Sequence, residues 1–147
     1  DYLEKWGMPE NPEDLKNHRL AHNNHIQPEF SMYFERDDKF HSVSFQPNML
    51  ANTILLLRAA VMKGDCLAMM PVFFIEKEII SGDFIPVLTD FRIKTTQLCA
   101  YYRKSSFVPM KALIFLNMLK QKYSNCPPWE ERILESKPEM SYALGFD

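Results

Sequence analysis

Four histidines are the residues best equipped for chemistry in this chain of 147 residues. His18, His22 and His25 fall within eight positions, and His41 follows downstream. Three imidazoles so close together would supply a zinc site if the backbone curled to meet a tetrahedral demand. On a helix their i, i+4, i+7 spacing would share one face, but Asn23-Asn24 and then Pro28 oppose a helix there. No cysteine or acidic ligand sits beside them. The histidines therefore read as solvated loop residues, and no metal is expected.

Nucleophile and cofactor chemistry finds no better footing. Cys66, Cys99 and Cys126 are widely spaced and odd in number, which fits neither a disulfide framework nor a CxxC motif. They read as reduced, mostly buried thiols. The four glycines, Gly7, Gly64, Gly82 and Gly145, stand far apart, so no GxGxxG fingerprint, Walker A loop or GxSxG elbow can be written. HExxH is absent as well. Neither an enzyme nor a bound cofactor is expected.

The elements that would position any site are clearer. Tyr2–Trp6 reads as a helical turn stopped at Gly7. Asn11 caps a second turn, with Pro12 at its first position and acids in its first turn. Ser31–Phe34 and Val43–Phe45 read as strands around the turn Asp37-Asp38-Lys39. Asn52 is a plausible N-cap for a helix over Thr53–Lys63, striped by Ile54, Leu57 and Val61 and closed by Gly64. Cys66–Met70 reads as a strand buried on both faces. Pro71 opens a helix to Ile80, ended by Ser81-Gly82, and Phe84–Leu88 is the next strand. Strand, helix, strand, helix, strand implies a largely parallel α/β sheet. Gln97–Tyr102 reads as a further strand, and Pro109 starts the longest helix, to about Tyr123. Its stripe of Ala112, Leu116, Leu119 and Tyr123, widened by Leu113, Phe115 and Met118, implies cover by neighbours. Pro127-Pro128 stops the pattern, leaving an acidic, weakly patterned tail.

Composition bounds the rest. With 46% hydrophobic residues and a net charge of −2, the chain is a globular polypeptide rather than a disordered one. Its longest apolar run, Cys66–Ile75, is about half of a membrane crossing, so no membrane partner is expected. No charged-then-apolar leader opens the sequence, and with unpaired cysteines this makes a cytoplasmic location the expectation. Seven basic and no acidic residues lie between Arg92 and Lys122. That block reads as a solvated face, with attraction of an anionic ligand as the alternative.

In their order and spacing these residues resemble the effector-binding domain of LysR-type transcriptional regulators. Tyr2-Leu3, Gly7, Pro9, Pro12, Asp14-Leu15 and His18 look like that family's YLxxxGxPxxPxDLxxH stretch. Asn52 stands twelve residues before Gly64, followed by Leu67-Ala68 and Met70-Pro71, similar to its N…aalaGxGIaxLP segment. Ile79, Gly82, Phe84 and Pro86-Val87-Leu88 look like its ExxxGxLVPVL, and Pro109-Met110-Lys111 with Phe115-Leu116 like its final PKxxxFxxFL helix. The likeness covers residues 1–123. It departs at Cys66, where the family has the second glycine of GxG, and at Ala21-His22, near a cysteine that often follows the first stretch.

The resemblance implies a periplasmic-binding-protein-like (type 2) fold with a three-layer α/β/α lobe. Residues 1–95 would form the second regulatory subdomain, 96–125 the crossover strand and helix returning to the first subdomain, and 126–147 the tail. The DNA-binding winged helix-turn-helix is absent from this chain, so DNA would be reached only through that missing N-terminal domain. The implied function is sensing of a small, anionic effector in a cleft between lobes, within a homo-oligomer, dimer or tetramer. The alternative is a solute-binding component of a transporter with the same fold.

In two-lobed α/β proteins ligands sit at strand carboxyl ends and helix N-termini. Those places are Met49, Leu50, Ala51, Asn52 and Thr53, together with Met69, Met70 and Pro71, and the family's effector contacts fall on the same two segments. Backbone N–H groups after Asn52 would suit a carboxylate. Asn52 reads equally as a plain cap, and Met69-Met70 read first as core packing. The longest helix, lacking its usual cover, is expected to drive self-association or domain swapping.

Overall fold

The computed structural model describes residues 1–24, 29–93, 99–102, 109–123 and 125–146. Helix α1 (Tyr2–Trp6) ends at Gly7, whose φ of 84° suits glycine and whose N–H bonds Leu3 O at 2.9 Å. A 3-10 turn over Pro12–Asn17 follows, closed by a capping box in which Asp14 Oδ2 accepts the N–H of Asn11 at 2.9 Å.

Strand β1 (Leu20–Asn23) then enters the interior, with all four residues buried. It is the centre of a parallel sheet. β4 (Met49–Ala51) lies on one side and β5 (Leu67–Ala68) on the other. A second sheet is antiparallel, in the order β3 (Lys39–Ser44), β2 (Ser31–Arg36), β6 (Arg92–Ile93). The β2–β3 hairpin turns on Asp37 and Asp38, both at positive φ (51° and 59°), the geometry a two-residue primed turn requires. The turn expected at Asp37-Asp38-Lys39 is thus where it should be.

Helix α2 (Ile54–Met62) packs Leu57 and Ala60 against Ala21 and Ala51 of the parallel sheet. Gly64 follows at φ 69°. Helix α3 (Val72–Ser81) begins after Pro71 and ends at Gly82 in the left-handed region (φ 84°). Arg58 of α2 and Glu78 of α3 tie the two helices, with Arg58 Nε donating to Glu78 Oε1 at 3.0 Å.

Several expectations are corrected. Phe84–Leu88 forms no strand. The Phe84 N–H donates to Glu78 O at 3.0 Å in closing α3, and Pro86 has no N–H, so two donors on one edge of such a strand are unavailable. The strand expected over Cys66–Met70 shortens to the Leu67–Ala68 pair with β1, half-buried rather than buried on both faces. Gln97 and Leu98 lie outside the described residues. The remainder of that expected strand, Cys99–Tyr102, is exposed and extends no ladder, since none of the described strands runs alongside it.

Helix α4 (Met110–Tyr123) forms where expected, but none of its residues is buried. Ala112, Leu116, Leu119 and Tyr123 are only half-covered, while Ile114, Phe115 and Met118 are exposed. The tail beyond Pro127 is not weakly structured. It folds as α5 (Pro128–Ser136), a 3-10 turn (Pro138–Met140) and α6 (Ser141–Leu144). Ile133 and Met140 complete a core cluster with Ile79 and Phe84.

Candidate functional site

Because β4, β1 and β5 run parallel, their carboxyl ends open on one edge of the sheet. Asn23 closes β1 there, paired in register with Ala51, while Ala21 pairs with Ala68. From that edge the chain leaves β4 into α2 through Asn52-Thr53, and leaves β5 into α3 through Met69-Met70-Pro71. The two helices therefore start from the strands on either side of β1, each presenting first-turn N–H groups and the positive end of a peptide dipole.

The two ends differ in how they are closed. At α2 the cap is Thr53, not Asn52: the Thr53 Oγ1 accepts the Leu55 N–H at 3.3 Å, and Asn52 stands exposed one residue earlier. At α3 the cap position is Pro71, which offers no side-chain acceptor. Met49 is half-buried, Leu50 exposed and Ala51 buried. Met69, Met70 and Pro71 are half-buried, with Met69 packed against the cluster around Phe34 and Phe91, and Met70 against those of α2 and α3.

Asn23 is the residue the sequence did not single out. It is buried at the mouth of the central strand, between the two segments that were. Leu20-Ala21 straight after a capped 3-10 turn was the available signal, but His22-Asn23-Asn24 reads as loop on residue type alone.

The histidines disperse. His22, far from being a solvated loop residue, is buried in β1, edge-on to Phe30 and Phe45 at 5.5 Å from each. Both faces of β1 are covered, that of His22 by Phe30 and Phe45, which is why the loop reading fails. His18 places Nδ1 3.3 Å from the Tyr2 hydroxyl, and that hydroxyl accepts the Arg19 N–H at 2.8 Å. Burial raises the Tyr2 pKa in spite of this bond. His41 lies edge-on to Phe91 at 5.8 Å, and His25 is outside the described residues. Among the described residues no group of three potential ligands could hold a metal ion.

Electrostatics at the site are structural. Its hydrogen bond to Arg58 holds the Glu78 carboxyl below the ordinary carboxylate range. Burial, with Asp65 adding to it, raises the Cys66 thiol and keeps it protonated. Neither group is arranged as a nucleophile or base beside the sheet edge, whereas the positive ends of two helices there suit an acceptor-rich ligand.

The family model described as the LysR substrate binding domain matches residues 1–124. The HTH-type transcriptional regulator PtxR of Pseudomonas aeruginosa is 23% identical over 116 residues, covering 79% of this chain. The chain spans only 37% of that relative's length. Among solved structures, the regulatory domain of AphB from Vibrio vulnificus superposes with a TM-score of 0.54 at 23% identity, over 61% of this chain and 45% of that one. Full-length Vibrio cholerae AphB, a virulence activator and member of the LTTR protein family, gives 0.57 at 20% identity, over 63% and 32%. These structural likenesses establish a common fold. Among the described residues no helix is long and apolar enough to cross a membrane.

Proposed function

Since the chain belongs to the LysR substrate-binding domain family, we propose that it is the effector-sensing part of a LysR-type transcription factor. The family match over residues 1–124 carries this reading, and the regulator PtxR among its relatives favours it over a transporter component. The family is one of ligand-binding domains, so the role proposed is recognition without catalysis.

The effector proposed is a small anion, a carboxylate by preference, held at the carboxyl edge of the parallel sheet. First-turn N–H groups of α2 and α3 would donate to it, Asn52 and Asn23 would add side-chain hydrogen bonds, and Met69-Met70 would wall the site. The other side of the cleft would come from a first subdomain outside this sequence. Effector binding would bias the lobes' relative orientation, and a homo-oligomer would pass that bias to DNA-binding domains in the cytoplasm. The exposed apolar residues Leu55 and Met62 of α2 and Phe73 of α3 suit an oligomer contact.

The coding sequence upstream of Asp1 tests the regulator reading, which requires a winged helix-turn-helix there; a secretory signal in its place would overturn it. Titration of the regulator encoded by that complete reading frame with a panel of small carboxylates tests the site. Asn52→Ala is expected to weaken the response at least tenfold with DNA binding retained.

A further inference from the structure

The molecule carries a second feature, which meets the sheet-edge site at Met69 and Met70. An apolar pocket of about 230 Å³, partly open to solvent, lies between the two sheets, α3 and the C-terminal α6. Its wall includes the rings of Phe34, Phe84 and Phe91 and the thioethers of Met32, Met70 and Met140. Among the described lining residues only Thr89 has a polar side chain, and none is charged.

That lining selects an occupant. Its described surface is mostly apolar, with backbone groups and the Thr89 hydroxyl as its minority of polar atoms, so it favours an apolar occupant over ordered water. An anion would lose its hydration with no cation among the described lining residues to replace it. Apolar cavities of about 150 Å³ stay dry and accept benzene, so this one has room for one or two fused rings. Aromatic walls favour edge-to-face packing, as Phe34 and Phe91 already adopt at 6.3 Å and 82°. Methionine thioethers pack well on ring edges and adapt to irregular shapes.

Part of the wall, Met140, Ala143 and Leu144, comes from residues beyond the stretch that matches the family. That segment is fastened from two sides. Arg132 Nη2 donates to Glu76 Oε2 at 3.0 Å, and the Tyr142 hydroxyl accepts the Asp37 N–H at 3.3 Å. We infer that this pocket is a binding site for a neutral, one- or two-ring aromatic molecule, flanked by the C-terminal helices and adjoining the anionic effector site at Met69-Met70.

Naphthalene is the probe, with benzoate as its charged counterpart. With 13C-methyl-methionine labelling of the chain, saturating naphthalene should shift the Met32 and Met140 methyls, leave Met110 and Met118 of α4 in place, and raise Tm. Ala143→Phe, which fills the cavity, should weaken naphthalene binding at least tenfold; Leu144→Phe serves the same end if Ala143→Phe does not fold. Asn52→Ala should bind naphthalene as the parent does, so failure here and failure at the sheet edge are told apart. Three results would overturn the inference: no methyl shift in folded protein, unchanged binding in a folded cavity-filling variant, or displacement of naphthalene by equimolar benzoate.

Discussion

Helices α4 and α5 make opposite use of their sequences. α4 carries the more apolar sequence of the two, yet buries none of its residues and exposes Ile114, Phe115 and Met118. α5 is largely polar, yet its Ile133 is wholly buried against Ile79, Phe84 and Met140. Apolar content measures what a helix needs, while burial depends on whether a partner surface stands where the helix lands. α5 finds α3 beside it, whereas the ring contact of α4 among the described residues is Trp129, stacked 5.4 Å from its last ring, Tyr123.

The sharpest way to break this comparison is to truncate one isoleucine on each helix. Ile133→Ala should cost about 2–5 kcal/mol, the transfer term plus a cavity that the surrounding cluster cannot close. Ile114→Ala, 61% exposed, should stay within about 0.5 kcal/mol. Urea unfolding of both variants measures the pair. Equal costs would mean that α4 is covered in solution or that α5 is not docked.

The means of attachment can be separated too. Glu76 and Glu78 leave α3 two residues apart and pair with different helices, Glu76 with Arg132 of α5 and Glu78 with Arg58 of α2. Glu78 is the more enclosed, and Glu78→Gln should cost about 1–2 kcal/mol at neutral pH, in the range of hydrogen bonds to charged groups. Because the folded-state pKa of Glu78 is lowered, its stabilisation is full above the ordinary carboxylate pKa and is lost as pH falls through the folded value. The gap between parent and variant should therefore close in acid. Glu76→Gln should change stability less and in a salt-sensitive way, since Arg132 is half exposed. A larger effect at Glu76 than at Ile133 would mean that charge rather than packing docks α5.

What α4 lacks within one chain a second copy can supply. Self-association through Ile114, Phe115 and Met118 should make the hydrodynamic mass concentration-dependent, and Phe115→Glu should weaken it at least tenfold, about 1.4 kcal/mol. Light scattering that finds one monomeric species across the concentration series, with α4 folded, would reverse the prediction.

The same contrast explains how far residue patterns reached. Local signals were legible where one segment decides its own structure: the capped turn at Asn11-Pro12, the Asp37-Asp38 hairpin, Gly82 ending α3, and α4 as a helix. Signals failed where a neighbour decides. Leu20-Ala21-His22-Asn23 shows neither alternation nor a long apolar run, and becomes a strand because β4 and β5 flank it. Phe84–Leu88 has strand composition, and is kept out of the sheet by the bond closing α3 and by Pro86. Ile133-Leu134 and Met140 are short apolar islands in a polar stretch, so the burial of Ile133 and Met140 shows only once α3 and Phe84 are placed beside them. At the site, both loop segments followed from the family's spacing, whereas Asn23 depended on knowing that β1 is the central strand.

The smallest stability effect separates capping from recognition at the sheet edge. Thr53 Oγ1 caps α2, so Thr53→Ala should cost about 1 kcal/mol whether or not any ligand exists. Asn52 is exposed one residue earlier and carries no such bond, so Asn52→Ala should leave stability within about 0.5 kcal/mol. If Asn52 serves an anionic effector, the loss should appear only in ligand titrations, as weakened binding with an unchanged unfolding midpoint. A comparable destabilisation by both substitutions would return Asn52 to the capping role first read for it, and would leave the proposed effector with backbone N–H groups alone at the start of α2.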